Sequence, residues 1–223
     1  LKLSICISLF FSLHANAGLI GYKWGDPTFG TGATVTWSMM GGGLSCAGTF
    51  EPAGCTTVGL ESFMPAGYKA EIERAFDAWS SVANLTFIEV ADGGEDFGDP
   101  GTSGDIRITG HHFDGPGGVL AHAYYPWAVP DPINGDTHFD SSDNWKIGFG
   151  GSGIDIYQVM VHELGHALGI SHTGDGIIID GLTGAPSIMD PFYTESFSGL
   201  QADDITLIQH LYGVAQNVSE PAT

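Results

Sequence analysis

His162-Glu163-Leu164-Gly165-His166-Ala167-Leu168-Gly169-Ile170-Ser171-His172 holds three imidazoles and one carboxylate in a single local framework. On a helix, residues four apart share a face. His162 and His166 therefore project together, and Glu163, one step round, flanks whatever they hold. A continuing helix cannot bring His172 back to the same point. A glycine at positive φ ends a helix and turns the chain, and Gly169 stands where that turn is needed. Three neutral imidazoles that leave one tetrahedral position open fit a catalytic zinc rather than a closed structural one.

Two histidines and a glutamate on a helix can also be an ordinary polar face. The added glycine and third histidine turn the pattern into one that resembles the metzincin signature. Downstream, Ser187-Ile188-Met189-Asp190-Pro191 looks like the Met-turn of those proteins, in which Met189 would pack beneath the zinc-bound imidazoles. Taken alone, a methionine before a proline is only core followed by a turn.

Outward from this stretch, 223 residues suffice for one domain with a real core, and no composition break suggests two. Six basic residues against 26 acidic ones give a formal charge of −20, which argues against nucleic acid or an anionic membrane as partner and for cations. A solubilising acidic surface accounts for most of these carboxylates, since calcium sites use few. Residues 1–17 read as a secretory signal: Lys2, an apolar run over 3–13, then Ala15-Asn16-Ala17 with cleavage expected after Ala17. The mature chain, 18–223, is then a single exported domain, and no later apolar segment is long enough to span a membrane. Cys6 would leave with the signal. Cys46 and Cys55 remain, and an oxidising destination predicts a small disulfide-closed loop between them.

Residues 33–40 alternate weakly, are rich in β-formers and end at Gly41-Gly42-Gly43, so a strand is expected. Over 68–82 the apolar residues Ile72, Ala75, Phe76 and Trp79 recur at helical spacing, before a strand at 85–90. Residues 91–104 read as a loop, and 105–109, 119–125 and 137–140 as short strands. The signature helix is expected over 154–168. A last helix is expected over 202–212, with Asp203 and Asp204 in the first turn where the helix dipole favours anions.

The remaining histidines cluster. His122 and His138 fall on predicted strands, and His111-His112 lies just before Asp114-Gly115-Pro116-Gly117-Gly118, so one closed zinc could pin loop to sheet; unrelated polar side chains are the alternative. Asp114, Asp140 and Asp143 are hard oxygen donors suited to calcium, although Asp-Gly turns in most proteins bind nothing.

Three ordered segments make a resemblance specific: Asp114 to Ala123, Gly135-Asp136-Thr137-His138-Phe139-Asp140, and Ala202-Asp203-Asp204-Ile205 through Leu211-Tyr212-Gly213. Together with the zinc signature they resemble the matrixins, the matrix metalloproteinase family, from about Tyr22 to Gly213. The resemblance implies an α+β fold, the metzincin zinc-peptidase fold, with a twisted, mostly parallel five-stranded sheet, one antiparallel edge strand and three helices. It also implies a structural zinc on His122 and His138. One calcium would take Asp114, the carbonyls of Gly115, Gly117 and Val119, and Asp140 and Asp143; a second would use Asp105 and Asp136. The sequence departs from the family in three places. The loop before Asp114 is shortened and lacks the family's aspartate, so His112 is favoured as the third ligand with His111 as the alternative, and a two-histidine remnant without metal is the other reading. Asp143 stands where a glutamate is usual. Thr173 replaces a serine.

The implied reaction is peptide-bond hydrolysis. Zinc on His162, His166 and His172 acidifies a water to a pKa of about 7, and Glu163 takes its proton and later protonates the leaving amine. An extended protein or peptide substrate would add a strand beside Val119 to Ala123, held by the Leu120 and Ala121 backbone, with residues 191–194 walling the pocket beyond the cut bond. The expected protein is a secreted monomer with zinc and calcium and with neither nucleic acid nor membrane as partner. No cysteine-bearing propeptide fits between Ala17 and a domain start near Tyr22, so export without a thiol switch is expected. The competing readings are a non-catalytic binding module on a metzincin scaffold, another metzincin branch such as the astacins or serralysins, and a calcium-dependent adhesive domain.

Overall fold

A computed structural model describes residues 17–46, 51 and 53–216; the expected signal, apart from Ala17, lies outside the described residues, as does Cys6. Among the described residues the chain runs β1 (Ala17–Leu19), β2 (Ala33–Met39), a single 3-10 turn (Leu60–Ser62), α1 (Tyr68–Val82), β3 (Leu85–Glu89), β4 (Ile106–His111) and β5 (Ala121–Ala123). It continues through β6 (Thr137–Asp140), β7 (Trp145–Lys146), β8 (Ile154–Asp155), α2 (Ile156–Ala167), β9 (Ile170–Thr173) and α3 (Ala202–Tyr212).

The central sheet has five strands in the order β3-β2-β4-β6-β5. β2 is parallel to both β3 and β4, and β4 is parallel to β6. Only β5, at the edge, runs antiparallel, pairing Ala121 with Phe139 and Ala123 with Thr137. This is the α+β architecture expected of the sequence: three helices and a mostly parallel sheet with one antiparallel edge. β4 is buried along its whole length, as parallel strands covered on both faces must be.

The predicted stripe of α1, Ile72, Ala75, Phe76 and Trp79, is the face it buries. Phe76 stacks on Trp37 of β2 at 4.7 Å, and the fully buried Trp79 donates its indole N–H to the Val161 carbonyl of α2 at 3.1 Å. That bond lets an indole sit in the core without an unsatisfied donor. α2 is buried on nearly every side, which explains why its sequence is apolar almost all round.

Strand and helix ends shift from expectation where local chemistry intervenes. The signature helix begins at Ile156 rather than 154, because Ile154–Asp155 pairs with β7 and the Asp155 carboxylate accepts the Gln158 N–H at 2.9 Å as an N-cap. The 119–125 strand shortens to Ala121–Ala123 and the 105–109 strand slides to Ile106–His111. β1, β7, β8 and β9 are too short to show alternation. Ala17, expected to be the last residue of the signal, is the first of β1, pairs with Thr173 of β9 and is buried. The ordered domain thus reaches back beyond Tyr22.

Candidate metal centres and substrate cleft

α2 and the turn after it assemble the first centre as the signature requires. α2 ends at Ala167, Gly169 takes φ of 106°, and β9 carries His172 back. A side chain at Gly169 would also strike the Tyr22 carbonyl, so both backbone sign and space demand glycine there. The Nε2 atom of His172 lies 3.2 Å from that of His162 and 3.0 Å from that of His166. Ligand atoms around a tetrahedral zinc at 2.0–2.1 Å stand about 3.3 Å apart, so this is the spacing of three ligands awaiting one ion. His162 Nδ1 donates to the Ile188 carbonyl at 2.6 Å and His166 Nδ1 to the Ile170 carbonyl at 2.8 Å. Each bond fixes the tautomer that turns a bare Nε2 inward. Burial holds His162 down at about 4 and His166 well below its ordinary value, and it lowers His172 as well, so the rings are neutral, the form in which an imidazole can take a metal.

Glu163 is buried beside them, its Oε2 without a hydrogen-bond partner, and burial alone pushes its carboxyl up to about 8. An orphaned buried carboxylate oxygen is costly unless a cation or a bound water meets it. A cation alongside draws such a pKa back down.

The floor of this centre is built from afar. Met189 is fully buried against the helix, and a Cβ on Gly165 would strike its sulfur, so the glycine inside the signature is the seat of the methionine. Asp204 of α3 locks that segment: it accepts from the Ser187 hydroxyl, from Ile188 N at 3.0 Å and from Gln201 N at 2.8 Å. Asp203 likewise accepts from Thr183 N at 2.9 Å. Sequence reasoning assigned these aspartates to the helix dipole and missed the tether. The Asp204 position three residues into the helix, a capping-box position, was the available signal.

A cleft of about 740 Å³ runs past the three histidines between β5 and residues 187–197, lined among others by Leu120, Ala121, Tyr125, Val159 and Phe197. Leu120 and Ala121 are thus on its wall, and among the described residues β5 is an edge with no further strand in the sheet. The far wall is braced. Gln158 Nε2 donates to the Thr194 and Phe197 carbonyls at 3.2 and 3.1 Å, and Glu195 meets Lys146 Nζ at 2.6 Å, Gly150 N at 2.7 Å and the Tyr193 hydroxyl at 2.8 Å.

A second centre lies at the other side of β5. The ligand atoms of Glu51, His111, His122 and His138 all fall within 4.8 Å of one another. His122 and His138 are there as expected, but the favoured third ligand is corrected. His112 is exposed and bonds to the Ser142 hydroxyl, while His111, last residue of the fully buried β4, points inward. Burial decides between the neighbours: His111 is the last, buried residue of β4, and His112 is the first residue beyond the strand and is exposed. His111 Nδ1 donates to the His112 carbonyl at 3.1 Å, which leaves Nε2 for the cluster. Glu51, missed in the sequence, comes from the loop closed by the Cys46–Cys55 disulfide.

Among the described residues the expected calcium aspartates do not form a comparably tight group of side chains. Their geometry is nevertheless specific. Asp140 Oδ2, Asp143 Oδ2 and Asp136 Oδ2 are buried without hydrogen-bond partners. Gly117 N donates to Asp143 Oδ1 at 2.7 Å, and Val119 N to both Asp114 oxygens at 3.2 Å, which folds the Asp114–Val119 loop over Asp143. Gly115 and Gly117 have φ of 95° and 81°, the freedom that lets carbonyls turn towards a cation. Asp105 Oδ2 instead accepts from Thr36 N at 2.8 Å and from the Thr36 hydroxyl at 2.7 Å, while Asp136 Oδ1 accepts from Arg107 N at 3.2 Å.

Residues 59–213 match the family model for Matrixin. The chain is 41% identical over 172 residues to an interstitial collagenase of Bos taurus, covering 74% of this chain and 33% of that protein. It is 41% identical over 165 residues to matrix metalloproteinase-16 of Homo sapiens, covering 67% of this chain and 24% of that one. Against stromelysin-3 of Mus musculus it is 41% identical over 150 residues, 65% of this chain and 27% of that protein. The chain therefore spans about a third or less of the length of these relatives. No helix among the described residues is long and apolar enough to cross a membrane.

Proposed function

The chain belongs to the matrixin family of metalloendopeptidases, and on that premise we propose that it is a secreted zinc endopeptidase in which Glu163 is the general base. One observation carries the reading: an unpartnered, buried Glu163 oxygen beside three imidazoles already oriented for one ion. A scaffold that needed metal only for stability would gain nothing from that exposed cost.

When bound at His162, His166 and His172, zinc supplies an acidified water and a positive charge against the scissile carbonyl oxygen. The chain's own groups do the rest. The edge of β5 takes the substrate as an added antiparallel strand, with the Leu120 and Ala121 backbone fixing its register across the histidines. Glu163 accepts the proton of the attacking water and hands it to the departing amine nitrogen. Tyr125 packs edge-on against His166 at 5.4 Å and shields the ring from bulk water. The residue after the cut bond enters the cleft between Val159 and residues 191–197, whose apolar lining favours an apolar side chain.

Calcium at Asp114, Asp140 and Asp143, with the carbonyls of Gly115, Gly117 and Val119, would meet the orphaned oxygens of Asp140 and Asp143; Asp136, with Asp105, offers a second place. A further zinc fits His111, His122 and His138. The chain acts as a monomer on extended protein substrates.

Replacement of Glu163 by alanine tests the mechanism. The variant should keep its fold and catalytic zinc while hydrolysis of a quenched fluorescent peptide falls about 100- to 10,000-fold. Activity surviving in a zinc-loaded variant would remove the glutamate from the mechanism.

A further inference from the structure

Deepening the reading of His111, His122 and His138 as a zinc site, and resting on it, we propose that the disulfide-closed loop supplies Glu51 as the fourth protein ligand. The Cys46–Cys55 bond would then govern how tightly that zinc is kept.

The geometry of the donors comes first. Glu51 Oε1 lies 2.8 Å from His122 Nε2 and 3.6 Å from His138 Nδ1, and Oε2 lies 3.3 Å from His111 Nε2. His122 Nε2 and His138 Nδ1 are 3.0 Å apart. These separations scatter around the roughly 3.3 Å edge of a tetrahedral zinc shell. Three imidazoles and one carboxylate are a zinc-type donor set, too nitrogen-rich for calcium. Four protein donors close the shell, the mark of a structural site, whereas the catalytic centre stops at three.

Glu51 reaches the cluster from a distant loop. The loop before Asp114 is short and brings no carboxylate, so the fourth donor must come from elsewhere in the chain. The loop that provides it is fastened on both flanks. Val58 and Gly110 exchange backbone hydrogen bonds at 2.6 and 3.1 Å, one residue before His111. Cys46 N donates to the Cys55 carbonyl at 3.2 Å inside the disulfide. Cys46, Met40 and Phe97 form a small separate core, and Phe97 stacks on the ring of His138 at 4.2 Å. The disulfide thus ties the base of the Glu51 loop to the packing that holds one of the histidines. Closing a loop in the form that binds removes an ordering cost that an open loop would meet on taking up the ion.

The test uses the full chain loaded with zinc alone. Two zinc ions per chain should survive gel filtration. Glu51→Ala should retain one, with release of the other to a chromogenic chelator faster by more than the roughly 10- to 100-fold that losing a mere hydrogen-bond partner of a ligand costs. Replacing both cysteines by serine should speed the same release by less than Glu51→Ala does. Serine is preferable to reduction, because the Cys46 and Cys55 sulfurs lie within 4.8 Å of a His111 ring nitrogen and free thiols would themselves be ligands. If Glu51→Ala does not fold, Glu51→Gln keeps the shape, and the ligand-field spectrum of the cobalt-loaded chain should change on that substitution. Two tightly held zinc ions in the Glu51 variants, or an unchanged cobalt spectrum, would overturn the role of Glu51 while leaving the three-histidine site standing. A single zinc in both the unmodified chain and His122→Ala would sink the site itself and the proposal with it. Release from the serine variant at the unmodified rate would remove the disulfide from the account.

Discussion

The two histidine clusters flank the same edge strand and are built in opposite ways. The proposed catalytic centre takes its three imidazoles from one helix, one glycine turn and one short strand, adjacent in sequence. The second cluster gathers His111 from β4, His122 from β5, His138 from β6 and Glu51 from a disulfide loop far earlier in the chain. The local centre has an open corner and an unpartnered glutamate; the assembled one has four donors facing inward. Local assembly allows a site to be preorganised yet incomplete, as chemistry requires. Assembly from distant segments would let a bound ion act as a cross-link between them, beside the small core of Met40, Cys46 and Phe97.

The largest effect that separates them is on activity. His166→Ala should abolish peptide hydrolysis and cost one zinc, whereas His138→Ala should cost the other zinc and lower the melting temperature with a much smaller loss of kcat/KM. Equal losses in both would erase the distinction. The local centre still rests on distant packing. Trp79→Ala, which empties the space beneath α2 and frees the Val161 carbonyl, should cost about 3–5 kcal/mol in a denaturant titration. A value near zero would show that α2 does not depend on α1.

Calcium removal, with zinc restored afterwards, should lower the melting temperature and hasten self-digestion; at a concentration 100 times Kd the ion contributes about 2.7 kcal/mol. An unchanged melting temperature would assign the orphaned Asp140 and Asp143 oxygens to something else. Asp204→Asn keeps the shape but weakens the acceptor for Ser187, Ile188 and Gln201, at about 1.5–3 kcal/mol, and should depress kcat/KM by loosening the segment under the imidazoles. The smallest effect is at Glu195, whose carboxyl is held down at about 2 by Lys146 first, then by Gly150 N and the Tyr193 hydroxyl. A depressed carboxyl stabilises the fold above its ordinary pKa and loses that contribution as pH falls towards the folded value. The difference in melting temperature between Glu195→Gln and the unmodified chain should therefore be constant near neutrality and shrink as the pH is lowered into the acid range. A pH-independent difference would deny the ion pair its role in bracing the cleft wall.

What was legible in the sequence follows the same division. His162, Glu163, His166, Gly169 and His172 could be read because helix period and one positive-φ turn are local rules. So could α1, whose buried stripe has helical spacing, and the sheet's one antiparallel edge, which came with the matrixin-like segments. His111 against His112 could not be decided, because their difference is where the buried strand β4 ends, and that end was placed two residues short. Glu51 left no local trace: a carboxylate in a small loop looks like surface until the disulfide and the Val58–Gly110 bridge bring it to the sheet. Asp204 carried a valid local reading as a helix-start residue, which concealed its second task.

The pairing of β1 with β9 has a bearing on the third imidazole. Ala17 faces Thr173, Leu19 faces Ile170, and the Ser171 hydroxyl donates to the Gly18 carbonyl at 3.1 Å, so His172 sits on a strand whose only ladder neighbour among the described residues is the earliest of them. Two of the three rings are carried by a buried helix; the third rides on a strand that is held besides by the Thr173 N–H to the Met189 carbonyl at 3.1 Å. Under the proposed zinc site, the hold of that third ring on an ion would share its support between the amino-terminal strand and the Met189 segment, and heat or proteolysis that undoes the strand would loosen it.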